Sequence, residues 1–386
     1  MNGDGSLPGA PSVQARPAGP RRGSLGKRVV VLCLAWLALI SGAHLWLNVS
    51  WLNLINDWLP PDQRKLNVAY IPVTCHLTCP VTDYIGRHLA AGNIFIPRKF
   101  QGFPEIKEAL IANRLQAGFL VAPMAIALHS QGVPIKIVYL GHRYGSAVVV
   151  RKDGPVHSVR DLAGKTVAIP SRFSDEFLIL VRALEKNGLR REDVHIVEMA
   201  PPDVVGALAV AAIDAFSMGE PFPSQAEMGG FGRTLFKAQE YWPDYMSCVL
   251  VVRQDVIDQR PKAVQMLVDG IARSGLWLDK GRPHRDDAAD FVGRYYYSQP
   301  PALLRWALSR DLQRVVYSPL APRKPDFDLV RDLMIHTGVI NRAVEFADYT
   351  DTRFSDGAAA MTAWRYEPGQ LGSIASTASI DGARSP

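Results

Sequence analysis

The strongest constraint in this sequence is a strand–helix rhythm that runs, crosses over and then restarts. Residues 65–71 alternate as a strand should, and residues 82–91 suit a helix. Residues 105–114 form a second helix, with Ile106, Ala109, Leu110 and Leu115 at helical spacing. Residues 117–121 read as a strand, 124–130 as a helix opened by Pro123, and 135–140 and 147–150 as β-rich runs. The rhythm begins again at Val156. Strands at 166–169, 195–199, 213–217, 234–237 and 248–252 are interleaved with helices up to Asn187, over 204–211 and over 221–228. From Gln254 to His336 the pattern is helical. Such a rhythm predicts an α/β fold of two lobes, each a mostly parallel sheet flanked by helices. The β-rich crossings near 147–152 and 246–253 make the first lobe discontinuous. The expected boundaries are lobe 1 over 65–150, lobe 2 over 151–250, the helical remainder of lobe 1 over 251–350, and a structureless tail over 351–386. Two lobes joined by two crossings enclose a cleft that closes by hinge motion.

Ahead of the body, residues 29–47 (VVVLCLAWLALISGAHLWL) carry no formal charge. Nineteen residues at helical rise span about 28 Å, close to the hydrocarbon thickness of a bilayer. Residues 1–28 are rich in Gly, Pro, Ser and Arg and read as a disordered basic tail, and 48–64 as a linker. The basic flank places the tail inside and the body outside the cytoplasmic membrane. Ser41-Gly42-Ala43 offers a signal-peptidase site, while apolar character continuing to Trp58 favours an uncleaved anchor. The expected location is periplasmic or extracytoplasmic, with the body held at the membrane by this transmembrane or signal helix.

Charge narrows the function further. Of the formal net charge of +6, four units belong to residues before Val29, where five basic residues face only Asp4. The body has no Lys/Arg stripe with interleaved aromatics, so no nucleic acid is expected as a partner. Nucleophile elbows, Walker loops and dinucleotide fingerprints are lacking, and no enzyme is expected.

In open α/β sheets, ligands lie beyond the carboxyl ends of strands. The loops expected there are 74–79, 101–103, 122–124, 170–174 and 217–220. They supply Thr74, Cys75, His76, Pro123, Met124, Ser171, Gly219 and Glu220 as candidate ligand contacts. Pro123 and Pro221 sit at helix starts, where free N–H groups favour an anion. Glu220 would repel an anion unless it pairs with a cation, and otherwise caps its own helix. Cys75, His76 and Cys79 could hold a metal ion, join as a Cys75–Cys79 disulfide, or simply pack. No second ligand pair lies near them in sequence unless Cys248 folds back. Beyond that metal ion no cofactor is expected.

Four segments carry a resemblance: 158–168 (SVRDLAGKTVA), 121–124 (VAPM), 219–222 (GEPF) followed by Gln225-Ala226, and 241–244 (YWPD). Their order and spacing resemble the type II periplasmic binding proteins of ABC importers, in the branch serving nitrate, bicarbonate, taurine and other sulfonates. The resemblance covers roughly residues 65–350. It implies capture of a small-molecule ligand in the interlobe cleft and delivery to an ABC permease with its ATPase subunit. It also places Phe103, Ser146 and Ser174 in the cleft, where nitrate-binding relatives carry Trp, Gln and His. Residues 245–248 lack the Lys of those relatives. These departures point away from inorganic nitrate, toward a larger or less charged ligand. Two rivals share the architecture: a membrane-tethered sensor domain, and an enzyme like the related thiamine-pyrimidine synthase.

Overall fold

The computed structural model describes residues 23–48, 55–56, 58–60, 63–89 and 95–369. The chain divides into two units, residues 1–58 and 59–385.

In the first unit, helix α1 (Gly23–Asn48) begins earlier than the apolar run, because Lys27 and Arg28 are good helix formers. The expected disorder of 1–28 is thus corrected for residues 23–28; residues 1–22 lie outside the described residues, as does most of the linker. Within α1, Gly26–Leu47 is a 22-residue stretch of mean hydropathy 2.1, and none of its hydrophobic 18-residue core is buried. By length and composition it can cross a membrane.

The second unit opens with β1 (Leu66–Tyr70), a 3₁₀ turn (Thr74–His76), α2 (Thr78–His88), β2 (Phe95–Lys99), α3 (Phe103–Ile111), β3 (Ala117–Val121), α4 (Ala122–Ser130), β4 (Ile135–Leu140) and β5 (Arg143–Tyr144). The chain then crosses to β6 (Ser146–Arg151), β7 (Thr166–Ile169), α5 (Asp175–Lys186), β8 (His195–Glu198), α6 (Val204–Ala209), β9 (Ala215–Gly219), α7 (Phe222–Met228), β10 (Gly232–Lys237) and α8 (Ala238–Tyr241). It returns through β11 (Cys248–Arg253) to α9 (Gln254–Gln259), α10 (Pro261–Leu278), α11 (Arg282–Val292), α12 (Pro301–Ser309), β12 (Val315–Val316), α13 (Lys324–His336) and α14 (Phe346–Tyr349).

Two five-stranded sheets result, ordered β2-β1-β3-β11-β4 and β10-β6-β9-β7-β8. Each contains one strand that runs against its neighbours, and that strand is the crossing. β11 is antiparallel to β3 and β4, with Cys248 opposite Val121. β6 is antiparallel to β9 and β10, with Ser146 opposite Gly219. The second sheet therefore takes the chain from residue 146, ahead of the expected boundary at 150/151. Central strands such as β3 are buried along their whole length, as helices on both faces require.

Three expectations need correction. β2 was not foreseen, since its Pro97 argues against a strand; β2 borders only β1, and an edge position tolerates a residue without an N–H. The helix expected over 82–91 starts at Thr78, with Pro80 in its first turn, where it costs no hydrogen bond. The expected tail over 351–386 is built into the core as far as the described residues reach. Phe354, Trp364 and Tyr366 are buried there. Trp364 Nε1 donates to Ser274 Oγ at 2.9 Å, and Trp277 Nε1 donates to the Tyr366 carbonyl at 2.9 Å. Anchors spaced without period give no helical or strand signal, so only packing reveals them. Residues 370–386 lie outside the described residues. Trp364→Ala should lower unfolding stability by about 3–4 kcal/mol, the usual loss for a buried Trp. Denaturant melts of the two proteins would measure this, and an unchanged midpoint would show the segment to be superficial.

Candidate functional site

Two pairs of the loops expected beyond the strand ends meet in a buried junction between the two sheets, Thr74 with Glu220 and Ala122 with Asp175. Its hub is Glu220, at the end of β9. The Glu220 N–H donates to the Gly145 carbonyl at 2.8 Å. Its carbonyl accepts from Thr74 twice, from N–H at 3.0 Å and from Oγ1 at 3.2 Å. Its carboxylate forms an ion pair with Arg314 and accepts from the Ser224 N–H at 3.1 Å. Glu220 thus pairs with an internal cation and accepts from the first turn of α7. Burial raises its pKa against the pull of Arg314. The Thr74 carbonyl in turn accepts from Tyr317 Oη at 2.9 Å.

The second part of the junction is acidic. Ser174 is the N-cap of α5, its hydroxyl accepting from the Phe177 N–H at 3.2 Å. The two residues that follow, Asp175 and Glu176, are buried. Asp175 Oδ2 accepts from the Ala122 N–H at 3.3 Å, so a carboxylate of one lobe meets the first turn of α4 in the other. Asp175 Oδ1 is buried without a hydrogen-bond partner. Glu176 Oε1 accepts from Ser146 Oγ at 3.0 Å, and Ser146 accepts from Tyr245 Oη at 3.0 Å. Burial drives the Asp175 pKa well up, with the Glu176 charge adding to it, and burial also raises Glu176. A Cβ at Gly219 would meet Glu176 Oε1 and Ser146 Oγ at 3.6 Å, an ordinary contact, so space does not demand glycine there.

The remaining candidates are structural or peripheral. Ser171 Oγ accepts from the Phe173 N–H at 3.1 Å and shapes the turn before α5. Pro123 and Met124 lie buried in α4. Phe103, at the start of α3, meets the His76 ring edge-on at 5.8 Å. His76 also stacks at a tilt on Phe119, 5.1 Å away. These apolar walls push the His76 pKa well down, and neighbouring His142 adds to the effect.

Sulfur chemistry gathers beside this junction. Cys75, His76 and Cys248 bring ligand-type atoms within 4.8 Å of one another. Cys248 has folded back onto the loop, and it replaces Cys79, which sits apart in the first turn of α2. The Cys75–Cys79 pairing is corrected accordingly: Cys75 Sγ lies 2.9 Å from Cys248 Sγ. As a metal set the cluster fits poorly. His76 Nδ1 accepts the Ile71 N–H at 2.8 Å, which leaves the ring proton on Nε2. Metal-bound histidines present the opposite arrangement, a free lone pair backed by a donated N–H. His76 Nε2 is instead a buried donor with no partner.

Sequence reasoning missed Asp175, Glu176, Tyr245 and Arg314. Acids in a first helical turn look like ordinary dipole partners, and Arg314 reaches the junction from a distant segment. Two surface depressions, of about 440 and 450 Å³, are lined by other residues, Lys136 and Arg353 in one and Arg98 and Glu105 in the other.

Comparison with known proteins now places the chain. Residues 59–293 match the NMT1-like family. The chain belongs to that family. Among relatives of this NMT1-like chain, the taurine-binding periplasmic protein of Escherichia coli is 30% identical over 192 residues, 47% of this chain and 59% of the relative. The match therefore spans less than two thirds of that relative's length. The ligand-binding component of an ABC-type import system from Staphylococcus aureus, solved with zinc bound, superposes with a TM-score of 0.69 at 21% identity, over 77% of this chain and 99% of that one. The nitrate-binding protein NrtA of Synechocystis gives 0.67 at 16% identity, over 76% and 88%. The desulfurization enzyme DSZB gives 0.55 at 16% identity, over 76% and 98%. These likenesses establish the two-lobed α/β fold of periplasmic binding proteins for this NMT1-like chain.

Two tests address the junction. Glu220→Gln leaves buried Arg314 with only the longer pair to Glu227, at 3.7 Å, and should cost about 3 kcal/mol. Adding Arg314→Met should restore more than half of that, as a double-mutant cycle by denaturant melting would show. His142 is buried and its pKa is pushed down to about 3 by that burial. The unfolded chain takes up a proton there below about pH 6.5 while the folded chain does not, so stability falls as pH drops through that value. At pH 5 the loss from this group is about 2 kcal/mol. His142→Gln should flatten the melting-temperature profile between pH 7 and 5 relative to the parent. Parallel profiles would show that His142 titrates normally.

Proposed function

We propose that this protein is the extracytoplasmic substrate-binding component of an ABC importer. It captures a small solute of the nitrate, bicarbonate and sulfonate class, or a related organic molecule, between its lobes and delivers it to a permease driven by an ATPase subunit. One observation carries the reading. Loops at the ends of β1, β3, β7 and β9, two from each sheet, reach one another through hydrogen bonds, one between main chains and one from a main-chain N–H to a carboxylate. Thr74 to Glu220 and Ala122 to Asp175 are such contacts. Hydrogen bonds of this kind exchange readily for bonds to water or solute, so the junction can open and reclose at little net cost. The family relatives named above support the solute class, and α1 supports tethering of the body outside the membrane. Candidate ligand contacts are Thr74, Ser146, Ser174 and Glu220.

Melting the purified protein against nitrate, bicarbonate, taurine and longer sulfonates tests this directly. A true ligand at 100 times its dissociation constant should stabilise by about 2.7 kcal/mol. Ser146→Ala should weaken that shift, and the loss of its bonds to Glu176 and Tyr245 should also lower the unliganded stability by about 1–3 kcal/mol. If no solute of the class moves the transition, the solute assignment fails. If protease added to cells stripped of any outer membrane leaves the body untouched until the cytoplasmic membrane is lysed, the placement fails.

A further inference from the structure

We propose that Cys75 and Cys248 are joined by a disulfide in the exported protein, tying the cleft loop to the returning strand β11. Their sulfurs, 173 residues apart in sequence, lie 2.9 Å apart, about 1 Å beyond bonding distance. Both residues are buried, so no bulk water separates them. The approach is built into the backbone. Gly141 lies between the two segments: its N–H donates to the Cys248 carbonyl at 2.6 Å, and a Cβ there would sit 2.5 Å from the Cys75 carbonyl oxygen and 3.2 Å from Cys248 Cβ. Any larger residue would push the loop off the strand. Cys79 does not compete. It lies in the first turn of α2 and, among the described residues, makes no sulfur contact with either partner.

The bond forms by thiol–disulfide exchange as the chain folds outside the cytoplasm. Each thiol gives up its hydrogen and one S–S bond forms. The two electrons and two protons reduce an external disulfide, of a small thiol or of a thiol-oxidising protein, to two thiols. In the folded protein the pair is sealed from solvent, which makes the bond structural rather than labile. Its effect falls on Thr74, the neighbour of Cys75, whose N–H and hydroxyl both reach Glu220 across the junction. A fixed cleft loop reaches that contact already ordered, which lowers the entropy lost on closing. The proposal rests on the extracytoplasmic placement of the body.

The test starts from the full chain in its exporting host. Free thiols are alkylated at lysis, and the protein is digested without reductant and mapped by mass spectrometry. The expected product is one linked peptide joining Cys75 to Cys248, lighter by two hydrogens, with Cys79 alkylated only after unfolding. Protein made and kept under reductant should melt about 5–10 °C lower. Cys75→Ser and Cys248→Ser should each abolish that difference, while Cys79→Ser retains it. Protease accessibility of the body is read in the same cells. An external body with both thiols free overturns the disulfide alone, as does a Cys75–Cys79 linkage or a metal ion bridging the pair and released by a chelator. A body sheltered in the cytoplasm overturns the binding-protein reading and the disulfide together.

Discussion

Glu220 is the residue on which the closed arrangement depends. Its backbone ties the end of β9 to the first crossing through Gly145 and to the cleft loop through Thr74. Its carboxylate ties the same point to Arg314, in the segment leading into β12. Three stretches of chain far apart in sequence are thereby registered at one position. A buried ion pair of this kind adds little net stability over a well-packed apolar pair, because both charges are taken from water. Losing one partner is costly, however, since the other charge stays behind. Glu220 and Arg314 therefore specify how the lobes meet more than how tightly the protein folds.

The fold was legible in the sequence because its signal is periodic. Strands buried on both faces read as apolar runs, helices show their spacing, and the restart at Val156 marks a second sheet. What escaped lacks a period. Pro97 disguised β2 because a proline argues against a strand unless the strand is known to lie at an edge. Trp364 and Tyr366 anchor a segment whose composition otherwise resembles a disordered tail. The loops of the junction were legible too, since strand ends predict where loops gather. Their partners were not. Nothing local to Arg314 announces that it will meet Glu220, and the nearness of Cys75 to Cys79 in sequence pointed away from Cys248. Pairing across 173 residues is a property of the fold, not of the spacing.

The departures from nitrate-binding relatives gain a physical meaning at the acidic side of the junction. Ser146 and Ser174 stand where those relatives were expected to carry Gln and His, and both serve Glu176 and its helix instead of an open cavity. Short hydroxyls at these places let Asp175 and Glu176 come inside. The first turn of α4, a natural seat for an anion, is met by the carboxylate of Asp175.

That substitution of an internal acid for an external one links binding to protons. Burial raises the pKa of Asp175 and of Glu176, which shifts each toward the neutral carboxyl, and the Glu176 charge adds to the shift at Asp175. A neutral carboxyl offers an O–H to a neighbour, whereas a carboxylate only repels an anion. On the binding reading proposed above, an anionic solute entering here would raise the cost of ionising these two groups still further. Its capture would draw in protons, and its affinity would fall as pH rises through the folded-state values of the pair. A solute carrying its own donor, such as an ammonium group, would instead favour the ionised form of Asp175, whose Oδ1 the closed junction leaves without a partner. On that reading the junction would separate two kinds of ligand by the sign of their pH dependence, a distinction set by where two carboxyl groups are buried.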